Sequence, residues 1–306
     1  MSISSSTAAQ KARFVCKSGS SDMDDRQPSL EVARRWFAED LRTTCHLTDA
    51  RVVEAFATVP REAFVGPGPW RLFHFADGYW STRDADPRRL YHNVLVALDE
   101  SRGLNIGEPA LWARHFDRLG VPDGARVLQL GAGSGYYTAI LAELVGPTGR
   151  VDAVEIDGPL AELAQRNLST WPNAHVRLGD ASQPVDGQWD VIVAFAGATT
   201  PHGWWLEALA DGGRMLLPMT AERRRGGFML RLDRRGDGLA ARSAGWVAFY
   251  PCAGARSPED AEAIGQAISD PVGQQAVRSL RRDLHQPDET CWLHRDGWCL
   301  SKRELH

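Results

Sequence analysis

The stretch Arg126-Val127-Leu128-Gln129-Leu130-Gly131-Ala132-Gly133-Ser134-Gly135-Tyr136 decides the fold. A short apolar run enters a turn with glycine at every second position. A helical pattern follows at once, with Tyr136, Tyr137, Ile140, Leu141, Leu144 and Val145 on its apolar positions. Strand, tight turn and helix in immediate succession form the opening unit of a parallel sheet. Further short apolar runs at 150–154, 174–178, 191–196 and 213–217 alternate with helical stretches. One of these carries Leu160, Leu163, Ala164 and Leu168 behind Asp157 and Pro159, a capping residue and a first-turn proline. This rhythm predicts an α/β fold, a doubly wound Rossmann-like sheet covered on both faces. Beyond it, strand-like segments at 228–232 and 245–250 flank a polar connection at 234–238, which predicts an antiparallel hairpin at the sheet edge.

The flanks read differently. Residues 1–28 are serine-rich and poor in apolar side chains, and are expected to be disordered. Residues 29–110 form a helical and loop-rich N-terminal region. Ser29 caps a helix with Val32, Ala33, Trp36, Phe37 and Leu41 on one face, and Val52, Val53, Phe56 and Ala57 mark a second helix that Pro60 ends. The stretch 66–109 is aromatic and loop-like, with Trp70, Phe73, Phe75, Tyr79 and Trp80; the Tyr79-Trp80 pair suits a lid or a core flap. The sheet domain is expected over 111–252. A helical extension over 253–306 is expected to carry helices near 261–268 and 274–284 before a Cys- and Trp-rich end.

Composition excludes several classes. Thirty-five basic against thirty-nine acidic residues leave a net charge of −4 over 306 residues, which argues against a dedicated nucleic-acid binder. No apolar run approaches the roughly 18 residues of a spanning helix, and the first thirty residues lack a secretory h-region, so neither membrane nor export is expected and the cytoplasm is the expected location. The five cysteines, Cys16, Cys45, Cys252, Cys291 and Cys299, show no CxxC spacing and are expected to be reduced and structural. Cys291, Cys299 and His294 offer three donors, short of a four-ligand set, so no metal is expected. Arg223, Arg224 and Arg225 make a short positive run, suited to an acidic peptide or simply to a solvated turn.

In a doubly wound sheet, ligands bind beyond the carboxyl ends of the strands, so the loops after Leu130, Val154, Leu178 and Ala196 are the place to look. A dinucleotide loop would want a small residue at position 136, where this chain has Tyr136. Gly131, Ala132, Gly133, Ser134 and Gly135 instead let the backbone approach a ligand without a diphosphate, as the amino-acid end of S-adenosylmethionine (SAM) requires. Glu155 ends the second strand twenty-four residues after Gly131, near the spacing at which an acid meets a ribose diol, with Ile156 beside it. It equally suits a charge at the start of the following helix. Asp180 could accept from the adenine amino group while the N–H of Ala181 meets a ring nitrogen, or could simply make a turn. Ala196 ends the fourth strand beside the same cleft. The acceptor side is expected to be lined by Asn105, Ile106 and Gly107. Thr199, Thr200 and His202 would stand opposite, His202 being a base for a hydroxyl acceptor or a helix-start residue, and Trp204-Trp205 a packing pair.

These residues resemble the class I SAM-dependent methyltransferases and, within them, the protein-L-isoaspartate O-methyltransferases. The resemblance runs from about residue 59 to 251. It rests on Val59-Pro60-Arg61-Glu62-Ala63-Phe64-Val65, on the loop from Val127 to Tyr136, on Gly179-Asp180, on Leu209-Ala210-Asp211-Gly212-Gly213-Arg214 with Pro218, and on Phe249-Tyr250-Pro251. It implies SAM as methyl donor and a carboxylate of a protein or peptide as acceptor, as in repair of isoaspartyl damage. The family carries Thr/Ser-Ile-Ser-x-Pro before the first strand; here the stretch reads Asn105-Ile106-Gly107-Glu108-Pro109, without a hydroxyl. Gln129 stands where most relatives carry an acid, so the resemblance implies that a neutral amide bonds the SAM amino group. Two alternatives stay open: a SAM-dependent enzyme with another acceptor (a modified peptide or small metabolite), and a SAM-binding regulator without turnover.

Overall fold

The computed structural model describes residues 27–74, 76–222 and 226–305. The expected disorder over 1–28, apart from its last two residues, and the arginine run at 223–225 lie outside these residues, as do Cys16 and Phe75.

Helices α1 (Leu30–Cys45) and α2 (Ala50–Thr58) begin as their capping residues dictate: Ser29 Oγ accepts the Val32 N–H, and the Asp49 carboxylate accepts that of Arg51. Where loops were expected, four short strands follow: β1 (Arg71–His74), β2 (Gly78–Ser81), β3 (Leu95–Asp99) and β4 (Leu104–Ile106). They form a small antiparallel sheet in the order β2-β1-β3-β4 over its own core of Trp70, Leu72, Leu90 and Val96. The turn-rich spacing of four strands of three to five residues hid the alternation that would have shown them. Arg61, fully buried, anchors the segment: Nη1 donates to the carbonyls of Leu90 and His92, and Nη2 to that of Val94.

The main sheet starts after α3 (Pro109–Leu119). Strand β5 (Arg126–Leu130), α4 (Tyr136–Val145), β6 (Arg150–Glu155), α5 (Gly158–Asn167), β7 (Ala174–Leu178), β8 (Trp189–Ala194), α6 (Gly203–Glu207) and β9 (Leu209–Thr220) supply its parallel half. Strands β10 (Gly227–Arg235) and β11 (Gly238–Val247) then pair antiparallel. Side chains alternate between two cores, as a sheet buried on both faces requires. Val127, Val151, Val191, Val193 and Leu216 join the core beneath α1 to α4. Leu128, Leu130, Ile192, Ala194 and Leu217 join the opposite one with Trp205 and Leu206 of α6.

The predicted hairpin exists but is not the sheet edge. After α7 (Pro258–Ala267) and α8 (Pro271–Gln275), strands β12 (Ser279–Arg281), β13 (Cys291–Arg295) and β14 (Trp298–Ser301) continue the sheet to ten strands, in the order β13-β14-β12-β11-β10-β9-β8-β5-β6-β7. The extension therefore carries three strands as well as two helices, and a helix over 274–284 is replaced by α8, a loop and β12. Leu280, Leu293, Trp298 and Leu300 bury their side chains in the same core as Phe228 and Leu230. Leu280, which falls within the expected helix, instead lies on strand β12.

Candidate functional site

The strand order reverses beside β5, whose parallel neighbours are β6 on one side and β8 on the other. Connections leave in opposite directions there, and a crevice opens above the strand ends. A cleft of about 680 Å³ fills that position. Its floor is the glycine loop, where Gly131 (φ 93°) and Gly133 (φ 56°) hold left-handed backbone that a side chain would strain. The Gly131 N–H donates to the Val154 carbonyl at 2.8 Å, tying the loop to the end of β6.

Glu155 is the acid at that end. Its Oε2 accepts the Gly133 N–H at 2.7 Å and its Oε1 the Asp157 N–H at 3.0 Å, so the carboxylate clamps two loops while keeping lone pairs toward the cleft. Asp157 in turn caps α5 through the Leu160 N–H. It also pairs with Arg102, which leaves the β3–β4 turn and pairs with Asp99 at 2.6 Å as well, so the small sheet is pinned beside the glycine loop. Gly179, Asp180 and Ala181 form the third wall. Asp180 Oδ1 accepts the Ser182 N–H at 2.8 Å, the turn role open to it from sequence, and Oδ2 is left over. Trp204 and Trp205 do more than pack, because their indole N–H groups donate to the carbonyls of Ser182 and Ala181 at 2.8 Å and fix this loop. Cys252 lies on the same side with its thiol pushed up to about 11, chiefly by burial and then by the Asp180 charge.

The cleft brings together Asn105, Ile106, Gly107, Gly131, Ala132, Gly133, Ser134, Tyr136, Glu155, Ile156, Asp180, Ala181 and Ala196. Gln129 does not line the cleft. It is fully buried behind the loop, its Nε2 donates to the Gly131 carbonyl at 2.9 Å, and its Oε1 has no partner among the described residues. Being one residue short of the strand end, it points into the sheet's packing layer and not over the rim. Tyr136 contributes little more than its position at the start of α4, since its ring is buried against Phe56, Phe64 and Tyr137.

Thr199, Thr200 and His202 are corrections too, for none lines the cleft. Thr199 Oγ1 accepts the Ser257 N–H, Thr200 Oγ1 donates to Asp260, and His202 stands before α6 with Nε2 donating to the Gly254 carbonyl. All three are taken up by the C-terminal segment, whose return over this loop sequence spacing did not show.

What sequence missed is Trp112. Its ring stacks on Phe195 with centroids 3.8 Å apart, and its Nε1 is buried with no acceptor among the described residues. That N–H faces Gly107, where an added Cβ would come within 2.9 Å of it. The Gly107 carbonyl accepts from the Tyr137 hydroxyl at 2.7 Å, and Asn105 Oδ1 accepts from that of Tyr79 at 3.0 Å, which holds β4 along the cleft.

A sheet reversing at β5, a glycine loop without a diphosphate seat and an acid closing the second strand together define a class I, SAM-dependent methyltransferase. The glycine backbone and the free lone pairs of Glu155 fit that nucleoside. The family described as Protein-L-isoaspartate(D-aspartate) O-methyltransferase matches residues 34–257, and the chain belongs to it. A curated protein-L-isoaspartate O-methyltransferase from Methanopyrus kandleri is 31% identical over 235 residues, 75% of this chain and 95% of that one. Its counterpart in Aeropyrum pernix is 37% identical over 200 residues, 64% and 69% respectively. Among solved structures, a protein-L-isoaspartate O-methyltransferase superposes with a TM-score of 0.62 at 22% identity, covering 82% of this chain and 73% of that one. A Plasmodium falciparum relative in complex with S-adenosyl-L-homocysteine gives 0.57 at 18%, covering 72% and 97%. No helix among the described residues is long and apolar enough to cross a membrane.

Proposed function

We propose that the chain transfers the SAM methyl group to the free α-carboxylate of an isoaspartyl residue in a protein or peptide, in the cytoplasm. The observation that carries this reading is the meeting, in one cleft, of the Gly131–Gly135 loop, Glu155 and Asp180 with the Asn105–Gly107 strand. In this reading Glu155 bonds the ribose hydroxyls, Asp180 and Ala181 read the adenine edge, and the Gly131–Ser134 backbone faces the amino-acid end. When bound, SAM supplies a sulfonium methyl open to in-line attack by an oxygen lone pair. The acceptor carboxylate needs no deprotonation, so the residues around it have only to align it and exclude water. Trp112 and Phe195 provide that dry wall, and the Trp112 N–H is a donor for the acceptor where the family's hydroxyl is missing.

The test uses methyl-labelled SAM and an isoaspartyl peptide, with volatile methanol collected after the pH is raised. Base-labile label is expected. Label that resists base, or none despite SAM binding, would overturn the carboxyl reading. The crowding of Gly107 by Trp112 favours a second reading, the same chemistry on a modified peptide whose acceptor geometry differs from isoaspartate.

A further inference from the structure

Outside the cleft, one cluster of side chains combines donors of the right chemistry. His285, Cys291, His294 and Cys299 each present a ligand atom, all within 4.8 Å of one another. Sequence offered three donors; the loop between β12 and β13 folds back to add the fourth, His285.

The backbone explains how they converge. In a regular strand Cys291 and His294, three positions apart, would face opposite sides. The β13–β14 ladder shifts register between Cys291 and Leu293, and this irregularity returns both side chains to one face. Cys299 on β14 is the direct cross-strand partner of His294, and opposed residues share a face.

The surroundings orient each donor. His285 Nδ1 lies 2.9 Å from the Asp283 carbonyl; since a carbonyl only accepts, Nδ1 carries the proton and Nε2 keeps its lone pair. That Nε2 is 3.6 Å from Cys291 Sγ. Asp283 is itself held by Arg281 at 2.5 Å, so a carboxylate-bearing residue and a cation back the imidazole from outside. The Asp288 N–H donates to Cys291 Sγ at 3.5 Å, and that thiol donates to the Asp288 carboxylate at 3.7 Å, which holds the sulfur in place. His294 Nδ1 is buried with no hydrogen-bond partner among the described residues, and Cys299 is fully buried.

We propose that these four residues bind one zinc ion in a closed, tetrahedral Cys2His2 site that braces the C-terminal hairpin. Two thiolates balance the charge of Zn2+, both thiol protons pass to solvent on binding, and four protein donors leave no position open for catalysis. Zinc–ligand bonds of about 2.0–2.3 Å span a tetrahedron with edges of roughly 3.3–3.8 Å, so closure asks each donor to move by less than about 1 Å.

The test takes the full chain, untagged and purified without chelator, and measures zinc by inductively coupled plasma mass spectrometry. About one zinc per chain is expected, falling at least tenfold in Cys299→Ser and in His285→Gln. The second variant alters a side chain near the surface, and calorimetry with S-adenosyl-L-homocysteine confirms that each variant is folded. Chelated protein given Co2+ should develop thiolate charge-transfer and tetrahedral ligand-field bands, absent from both variants. Folded protein with no zinc and no cobalt spectrum overturns the proposal. So does a Cys291–Cys299 disulfide seen by non-reducing peptide mass mapping, or zinc retained in full by both variants.

Discussion

Gly107 faces the indole edge of Trp112 so closely that a methyl carbon on the glycine would sit 2.9 Å from Nε1. The ring cannot easily retreat, being fully buried and stacked on Phe195. Gly107→Ser should therefore lower stability by about 1–3 kcal/mol through overpacking and should not raise turnover of an isoaspartyl peptide. Thermal unfolding and the methanol assay read the two effects; a stable, faster Gly107→Ser enzyme would refute the relationship.

Trp112→Phe keeps an aromatic ring against Phe195 but deletes the donor. If that N–H serves the acceptor, kcat/KM for the peptide should fall by roughly tenfold or more, the loss of a hydrogen bond to a charged group, while S-adenosyl-L-homocysteine affinity stays unchanged. Equal losses in both would place Trp112 in general packing.

Glu155 is expected to matter twice, because it holds the Gly133 and Asp157 N–H groups as well as facing the cleft. Glu155→Ala should weaken S-adenosyl-L-homocysteine binding by about 1–3 kcal/mol. Calorimetry decides it, and unchanged affinity removes Glu155 from the sugar site.

Arg102 makes the opposite kind of prediction. Its pairs with Asp99 and Asp157 are half-exposed, and Asp157 caps α5 without it. Arg102→Ala should leave nucleoside affinity essentially unchanged, at low and at high salt alike. A tenfold loss in the same titration would show that the small sheet governs access.

His115 sets an acid limit. Burial, helped by Arg118 and Arg114, lowers its pKa from 6.5 to about 4. The unfolded chain then binds a proton that the native protein refuses, so this contribution is complete above about pH 6.5 and lost as pH falls toward 4. The loss reaches about 3 kcal/mol, and His115→Phe should flatten this limb of the stability curve in urea titrations between those limits.

The parallel half of the sheet was legible because burial on both faces writes short apolar runs: β5 begins and ends where its run does, and β6 runs one residue past its own. The cofactor loops were legible because glycine spacing and a terminal acid are local signals. Long-range returns leave no local trace. The four strands of the small sheet pair across loops, β12 to β14 take their partners from a distant hairpin, and Trp112 stacks on Phe195 from the far end of β8. Gln129 shows the converse, a residue adjacent in sequence to the right loop whose alternation turns it inward.

Strand β12 lies along β11 at Leu239 and Ala240 and hands the ladder on to β14. The family match stops at residue 257, so a shortened protein cut there would present bare, apolar β11 to its neighbours. The segment beyond is thus a hem sewn onto the sheet, and trimming it invites edge-to-edge stacking of one molecule on the next.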